Sequence, residues 1–270
     1  MNIGIIGVGF VGGAMLKSFR EKSKYSNDFI MGYDKYKKIG SFENILQTDI
    51  LFLCLPTPYD ATTSSYDKSA LKDICADLTK SNYQGLVVIK STVEPTTSQD
   101  LADKYGLSII HNPEFLTART AYIDFHNQKH IIIGRTSNVN DDQVNILINF
   151  YKKNYPDAEI TICISTESES IKIFCNSFYA IKVQFFNELY LICQKLNINY
   201  NIIRNAMLKN NWINPMHTSV PGPDGKLSYG GACFPKDTNA LLAFMELNKS
   251  PCEILRAAVC ERNKIRGSDE

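Results

Sequence analysis

Near the end of the chain, Gly230-Gly231-Ala232-Cys233-Phe234-Pro235-Lys236-Asp237 sets a thiol, an ammonium and a carboxylate close together behind two glycines. The thiolate is the nucleophilic form of cysteine, so a reactive Cys233 needs positive surroundings. Taken by itself, it reads first as a small buried hydrophobe. Lys172 and Asn176 stand at i and i+4 and so share one helix face. An ammonium and an amide on one face can both donate to a developing oxyanion; the plainer alternative is a solvated lysine and a surface amide. Asn112-Pro113-Glu114-Phe115-Leu116 adds a carboxylate just after an apolar run. Eight cysteines and four histidines show no Cys-x-x-Cys pair and no ligand spacing, so neither a metal site nor a disulfide framework is expected.

The N-terminus carries a separate signal. An apolar run, Asn2–Ile6, leads into Gly7-Val8-Gly9-Phe10-Val11-Gly12 and then a helical stretch. In that context Gly7 permits a tight turn, Gly9 lets the backbone approach a pyrophosphate, and Gly12 lets helix and strand pack closely. The helix N-terminus offers N–H groups to phosphate oxygens. The next strand ends in Asp34, whose carboxylate can accept from the adenosine ribose hydroxyls and repel a 2′-phosphate. The expected cofactor is therefore NAD rather than NADP, with Lys35 and Lys37 the residues that speak the other way. Leu55-Pro56-Thr57-Pro58 and Lys90-Ser91-Thr92-Val93 close the third and fourth strands. Strand ends of this kind face ligands in open α/β sheets, although Pro and Thr also serve as plain strand-to-loop punctuation.

These residues need a scaffold, and the apolar pattern supplies one. Strands are expected at Asn2–Ile6, Phe29–Asp34, Ile50–Leu55, Leu86–Lys90, Leu107–His111, Ile131–Gly134 and Glu159–Ile164, with helices at Phe10–Lys22, Lys68–Lys80 and Asp141–Lys153 among them. Near-continuous apolar strands alternating with helices imply an α/β domain with a doubly wound parallel sheet, residues 1–165. From 166 to 270 the pattern is helical. Ile171, Phe174, Phe178, Ile181, Phe185, Leu189, Ile192 and Leu196 recur at helical spacing, so one long helix over Glu167–Leu196 is expected to carry a stripe that must be buried. A Gly/Pro-rich segment, Pro221–Gly231, precedes helices at Thr238–Leu247 and Pro251–Ile265.

With 270 residues, 44% hydrophobic, 21% charged and a net charge of +1, the chain has an ordinary globular composition. No basic face stands out for nucleic acid or an acidic membrane, and no apolar run suffices to span a bilayer. No basic leader precedes the first strand, so a cytoplasmic location is expected.

In their shared order, the glycine loop, Leu-Pro-Thr-Pro, Ser-Thr-Val, Asn-Pro-Glu-Phe-Leu, the helix with Lys172 and Asn176, and Gly-Gly-x-Cys-Phe-Pro-Lys-Asp resemble the UDP-glucose/GDP-mannose dehydrogenase family along essentially the whole chain. The resemblance implies an NAD-dependent, two-step oxidation of the C6 alcohol of a nucleotide sugar, with UDP-glucose to UDP-glucuronate as the first candidate. Another UDP-hexose, GDP-mannose, or an inactive NAD-binding protein are the alternatives. It further implies that Cys233 holds the intermediate aldehyde as a thiohemiacetal and then a thioester. Lys172 and Asn176 would steady the oxyanion, and Asp237, with Thr92 holding the water, or Glu114 would serve hydrolysis. By the same resemblance Val11, Thr57 and Lys236 lie at the cofactor, Phe115, Leu116 and Gly230 line the sugar pocket, and the long helix joins two copies in a homodimer.

Two departures stand against the family pattern. The run after Leu116 reads Thr117-Ala118-Arg119, which omits a carboxylate of the family, and Lys129-His130 replaces a usual Asp-Arg. The chain also stops at Glu270, before the third domain that typically grips the nucleotide, and Arg266–Glu270 read as a polar tail. The loop His217–Lys226 is the segment expected to supply part of the missing contacts.

Overall fold

Each central strand places alternate side chains on opposite faces, and both faces here are apolar. Ile50, Phe52, Leu86, Val88 and Ile110 enter one core with Phe19, Phe125 and Phe150, while Leu51, Leu53, Val87, Ile89 and Ile109 enter the other with Leu71, Cys75 and Leu101. That double burial is what turns the short apolar runs into a covered sheet. The computed structural model describes residues 1–24 and 26–267. Its elements in order are β1 (Asn2–Ile6), α1 (Phe10–Lys22), β2 (Phe29–Tyr33), α2 (Phe42–Ile45), β3 (Ile50–Leu53), β4 (Tyr59–Asp60), β5 (Ser65–Tyr66), α3 (Ser69–Lys80), β6 (Leu86–Ile89), α4 (Thr97–Tyr105), β7 (Ile109–His111), α5 (Ala121–His126), β8 (His130–Arg135), α6 (Asp141–Asn154), β9 (Glu159–Ile164), α7 (Ser165–Lys195), α8 (Tyr200–Leu208), α9 (Phe234–Leu247) and α10 (Glu253–Arg266).

The chain divides into one unit of Met1–Pro58 with Tyr66–Lys172 and another of Tyr59–Ser65 with Ile173–Glu270. Composition changes at 165/166, whereas the division falls inside α7. The first unit holds a seven-stranded sheet in the order β2-β1-β3-β6-β7-β8-β9. Every pair is parallel except β7 with β8, which is antiparallel. The expected parallel sheet therefore carries one reversal, made where the chain returns after α5. Phe19 of α1 is fully buried, with its ring 4.9 Å from Phe150, 5.3 Å from Phe52 and 5.5 Å from Phe125. Asn140 caps α6 in a reciprocal box with Gln143.

In the second unit α7 continues, followed by α8 to α10, with β4 against α9. Phe186, Cys193 and Tyr200 form its small core with Leu189, Ile203 and Met207 around them. The single tryptophan, Trp212, is 90% exposed in the turn after α8. The long helix departs from expectation in one respect. Its apolar stripe is not buried within the chain: Phe174, Phe178, Phe185 and Ile192 are exposed, while Ser168, Glu169, Lys172, Asn176, Gln184 and Asn187 are buried. The buried side of the helix mixes these polar groups with Ile173, Ala180, Phe186 and Cys193. Among the described residues no helix is long and apolar enough to cross a membrane.

Candidate active site

In the first unit the glycine loop joins β1 to α1. Gly7 has φ +88°, a left-handed conformation that favours glycine. A methyl group at Gly12 would lie 1.9 Å from the Gly7 carbonyl oxygen, so helix and loop meet there without room for a side chain. At Gly9 a methyl would meet nothing within 4 Å, which leaves the loop crest open to an approaching phosphate. Val11 lies half-buried in the first turn of α1. Asp34 follows β2, and its Oδ2 accepts from Val8 N (2.9 Å) while Oδ1 accepts from Tyr36 N (3.0 Å) and Lys37 N (2.9 Å). The Lys37 N–H, with those of Val8 and Tyr36 and against slight burial, holds this carboxyl below the usual range. A carboxylate has about four acceptor positions, so a ribose hydroxyl can still be received. Lys37 Nζ donates to Val8 O at 2.6 Å, which commits the lysine to the loop. The open crest at Gly9, the α1 N-terminus and the Asp34 carboxylate fit a dinucleotide.

The ends of β3 and β6 are latched together. Ser91 Oγ donates to Leu55 O (2.7 Å) and accepts from Leu55 N (3.0 Å), and Thr57 Oγ1 donates to Thr92 O (2.7 Å). The turn after β7 carries Glu114, whose Oε2 accepts from Leu116 N at 2.6 Å. Lys172, near the start of α7, donates to Glu114 O at 2.5 Å and lies 3.2 Å from Glu114 Oε1. Phe115 is 40% exposed with its ring 5.1 Å from Lys172 Nζ, and Leu116 packs against the core. Three buried polar residues of this unit stand beyond the expected site; Lys90 lay in the strand-end motif Lys90-Ser91-Thr92-Val93, whereas His111 and Glu169 carried no functional signal. Lys90 donates to Asn112 Oδ1 (3.0 Å) and Pro113 O (3.1 Å), and burial pulls it down to about 8. His111 pairs with Ser168 Oγ at 2.8 Å, and burial pulls it down to about 3. Glu169 accepts from Thr96 N and Ser98 N, both at 2.7 Å, and burial pushes it up to about 7 against those donors. Polar residues buried at strand ends or, like Glu169, on a helix depend on partners far along the chain, which local pattern does not reveal.

In the second unit, Cys233 is exposed and stands at the N-cap of α9. One turn on, Asp237 is fully buried. Its Oδ2 accepts from Asn176 Nδ2 at 2.6 Å, and its Oδ1 pairs with Lys236 Nζ at 2.5 Å. Asn176 thus commits one amide N–H to a carboxylate, and Lys236 is spent on Asp237. Gly230 sits where a methyl group would fall 1.5 Å from Arg266 Nη1. Arg266 also donates to Leu227 O (2.7 Å) and pairs with Asp224. The expectation that Arg266 begins a polar tail is therefore corrected: it ends α10 and clasps the segment before the cysteine motif. Residues 268–270 of that expected tail lie outside the described residues. The loop toward Lys226 closes on itself, with Gly222 N donating to Lys226 O at 2.9 Å. Among the described residues no group of three or more His, Cys, Asp and Glu could hold a metal ion.

Residues 31–154 match the NAD binding domain of the UDP-glucose/GDP-mannose dehydrogenase family, and residues 166–264 match its central domain. The chain belongs to the UDP-glucose/GDP-mannose dehydrogenase family. The cofactor of this family's first domain is NAD, in keeping with Asp34 and the open crest at Gly9. A UDP-glucose 6-dehydrogenase of Campylobacter jejuni is 31% identical over 226 residues, covering 83% of this chain and 55% of that protein. A solved UDP-glucose dehydrogenase from Pyrobaculum islandicum shares 25% identity with a TM-score of 0.82, over 97% of this chain and 68% of that one. A 3-hydroxyisobutyrate dehydrogenase of Mycobacterium tuberculosis, 13% identical, shares the fold with a TM-score of 0.73 over 97% of this chain and 92% of its own. The chain spans about half the length of the curated relatives of the family that it matches.

Proposed function

We propose that this chain oxidises the C6 alcohol of a nucleotide sugar twice, with UDP-glucose the first candidate, and that Cys233 carries the intermediate. The carrying observation is the placement of Cys233: exposed at the N-cap of a 14-residue helix, one turn before the buried Asp237. A helix N-terminus favours an anion, so it favours the thiolate over the thiol. NAD, when bound, supplies the hydride acceptor for each oxidation; Gly7, Gly9, Gly12 and Asp34 hold it. In the first oxidation C6 gives up a hydride and its hydroxyl a proton, leaving an aldehyde. The Cys233 sulfur then adds to the carbonyl carbon, and the oxygen takes a proton to give a thiohemiacetal. Loss of a second hydride and a proton gives a thioester. Water adds to it, the carbon–sulfur bond breaks, and the acid leaves with the thiol restored.

Lys172 and Asn176 are the oxyanion donors in this reading. An ammonium has three N–H groups and an amide two, so engagement with Glu114 and Asp237 leaves each a donor for the sugar oxygen. Asp237 serves chiefly to orient Asn176 and Lys236, because it is fully buried, and this reading gives the activation of water to Glu114, which is half-buried. The outward apolar stripe of α7 supports a homodimer through that helix, since a face of phenylalanines at Phe174, Phe178 and Phe185 is costly to leave in water.

The test is NADH formation with limiting UDP-glucose and excess NAD. Two NADH per sugar are expected. Cys233→Ser should form no more than one and release or retain the aldehyde; two NADH from that variant would refute the thiol route. A simple hydroxyacid dehydrogenase, the second reading favoured by the fold likeness, would turn over small 3-hydroxy acids and ignore the serine substitution.

A further inference from the structure

Two ammonium groups grip the turn at Glu114 within the first unit. Lys172 takes Glu114 O and faces its carboxylate. Lys90, at the end of β6, takes Asn112 Oδ1 and Pro113 O. Lys90 is 3% exposed and, among the described residues, no carboxylate is in hydrogen-bond contact with it, so its charge rests on two neutral oxygens. Such a charge is retained at a cost in desolvation, and a neutral side chain would fill the space more cheaply. What surrounds it is itself fixed. Tyr151 of α6 donates to the same Asn112 Oδ1 at 2.5 Å, and Asn112 Nδ2 donates to Ile132 O of β8 at 2.5 Å. Asn112 is thereby tied to three elements, and the turn that follows it has one orientation.

We propose that Lys90 is a positioning residue for the oxidation: its ammonium fixes the backbone of 112–114 so that Glu114 is held against the head of Lys172. The inference rests on the proposed reaction for its kinetic effect, but the ordering of the turn stands apart from it. A second consequence follows from the charges in view of Lys90. Burial disfavours its ammonium most, Lys172 adds to that, and Glu114 favours it; near pH 8 Cys54, which burial pushes up to about 12, His111, pulled down to about 3, and Tyr151 are all neutral. Lys90 loses its proton at about pH 8. Above that pH the amine is a weaker donor to Asn112 and Pro113, and the grip on the turn slackens while Lys172 keeps its partner.

Lys90→Met, close in shape and apolar, and Tyr151→Phe test this with the whole chain. Lys90→Met is expected to lower kcat on the order of 10- to 100-fold, as a misplaced group does, with NAD affinity unchanged. The wild type should lose kcat through an alkaline limb near pH 8 that Lys90→Met lacks and Tyr151→Phe, with a smaller loss, retains. Amide exchange of residues 114–116, corrected for intrinsic pH dependence, should quicken in Lys90→Met and in the wild type above that pH. Equal kcat and an identical limb in an active wild type and Lys90→Met would overturn the proposal. A wild type inactive on every nucleotide sugar would refute the reaction instead, and the exchange data would then decide: unchanged protection of 114–116 in Lys90→Met overturns the positioning role, and its loss upholds it. Should Lys90→Met not fold, the wild type decides: corrected exchange of residues 114–116 that does not quicken above about pH 8 overturns the proposal, and exchange that does upholds it.

Discussion

Asp34 receives backbone N–H groups from Val8, Tyr36 and Lys37, so the carboxylate that would select the ribose also braces the glycine loop. Asp34→Asn removes the charge and is expected to weaken NAD about tenfold while narrowing the preference over NADP; calorimetric titration of both nucleotides measures it. Gly12→Ala meets backbone at 1.9 Å and cannot be absorbed by a rotamer. It should abolish measurable NAD binding and cost about 1–3 kcal/mol of stability, read from denaturant unfolding. The glycine spacing and Asp34 were legible from local pattern alone, because a tight loop has few solutions. Lys37 was not: its sequence position beside Asp34 suggested a hand for a 2′-phosphate, and only its bond to Val8 O shows the ammonium already engaged.

Glu169 of α7 reaches the N-terminus of α4, where helices present unpaired N–H groups, and receives two of them. Its carboxyl is pushed up to about 7 by burial, above its unfolded range near 4.5. The proton is therefore held more tightly in the folded state. The stability this contributes is complete below about pH 4.5 and is lost as pH rises through about 7. His111, pulled down to about 3, acts in the opposite sense, contributing above its ordinary range near 6.5 and losing that contribution on acidification. The two overlap, so the stability of wild type minus that of Glu169→Gln is the readout: this signed difference should fall as pH rises from about 5 to 8, by a few kcal/mol at most. A constant difference across that span would refute the assignment. The strands and the long helix were readable because doubly covered strands are continuous apolar runs and α7 keeps helical spacing. Helix α8 escaped notice although Asn199 caps it, accepting from Asn201 N and Ile202 N. The expected start of α9 came four residues late, since Phe234-Pro235 looked like loop while proline in a first helical turn costs nothing.

At the scale of the molecule, α7 buries Glu169, Lys172, Asn176, Gln184 and Asn187 beside Ile173, Ala180 and Phe186, and leaves Phe174, Phe178 and Phe185 outward. Periodicity revealed the stripe but not which side of the helix faced the chain, because that depends on what Lys172, Asn176 and Glu169 bond to. If the outward face joins two copies, Phe178→Glu should convert a dimer to a monomer in sedimentation analysis with helical content unchanged. A wild type that is monomeric at every concentration would dispose of the homodimer. The exposed turn after α8 has a practical corollary. The chain's one indole stands there, 90% exposed to water. Its emission is then long-wavelength light from a single spot, with no second fluorophore of its kind to average against. Iodide should quench it nearly as well in the folded protein as in the unfolded chain, and any nucleotide or second copy settling on residues 210–216 would register as shielding from that quencher, without a dye attached.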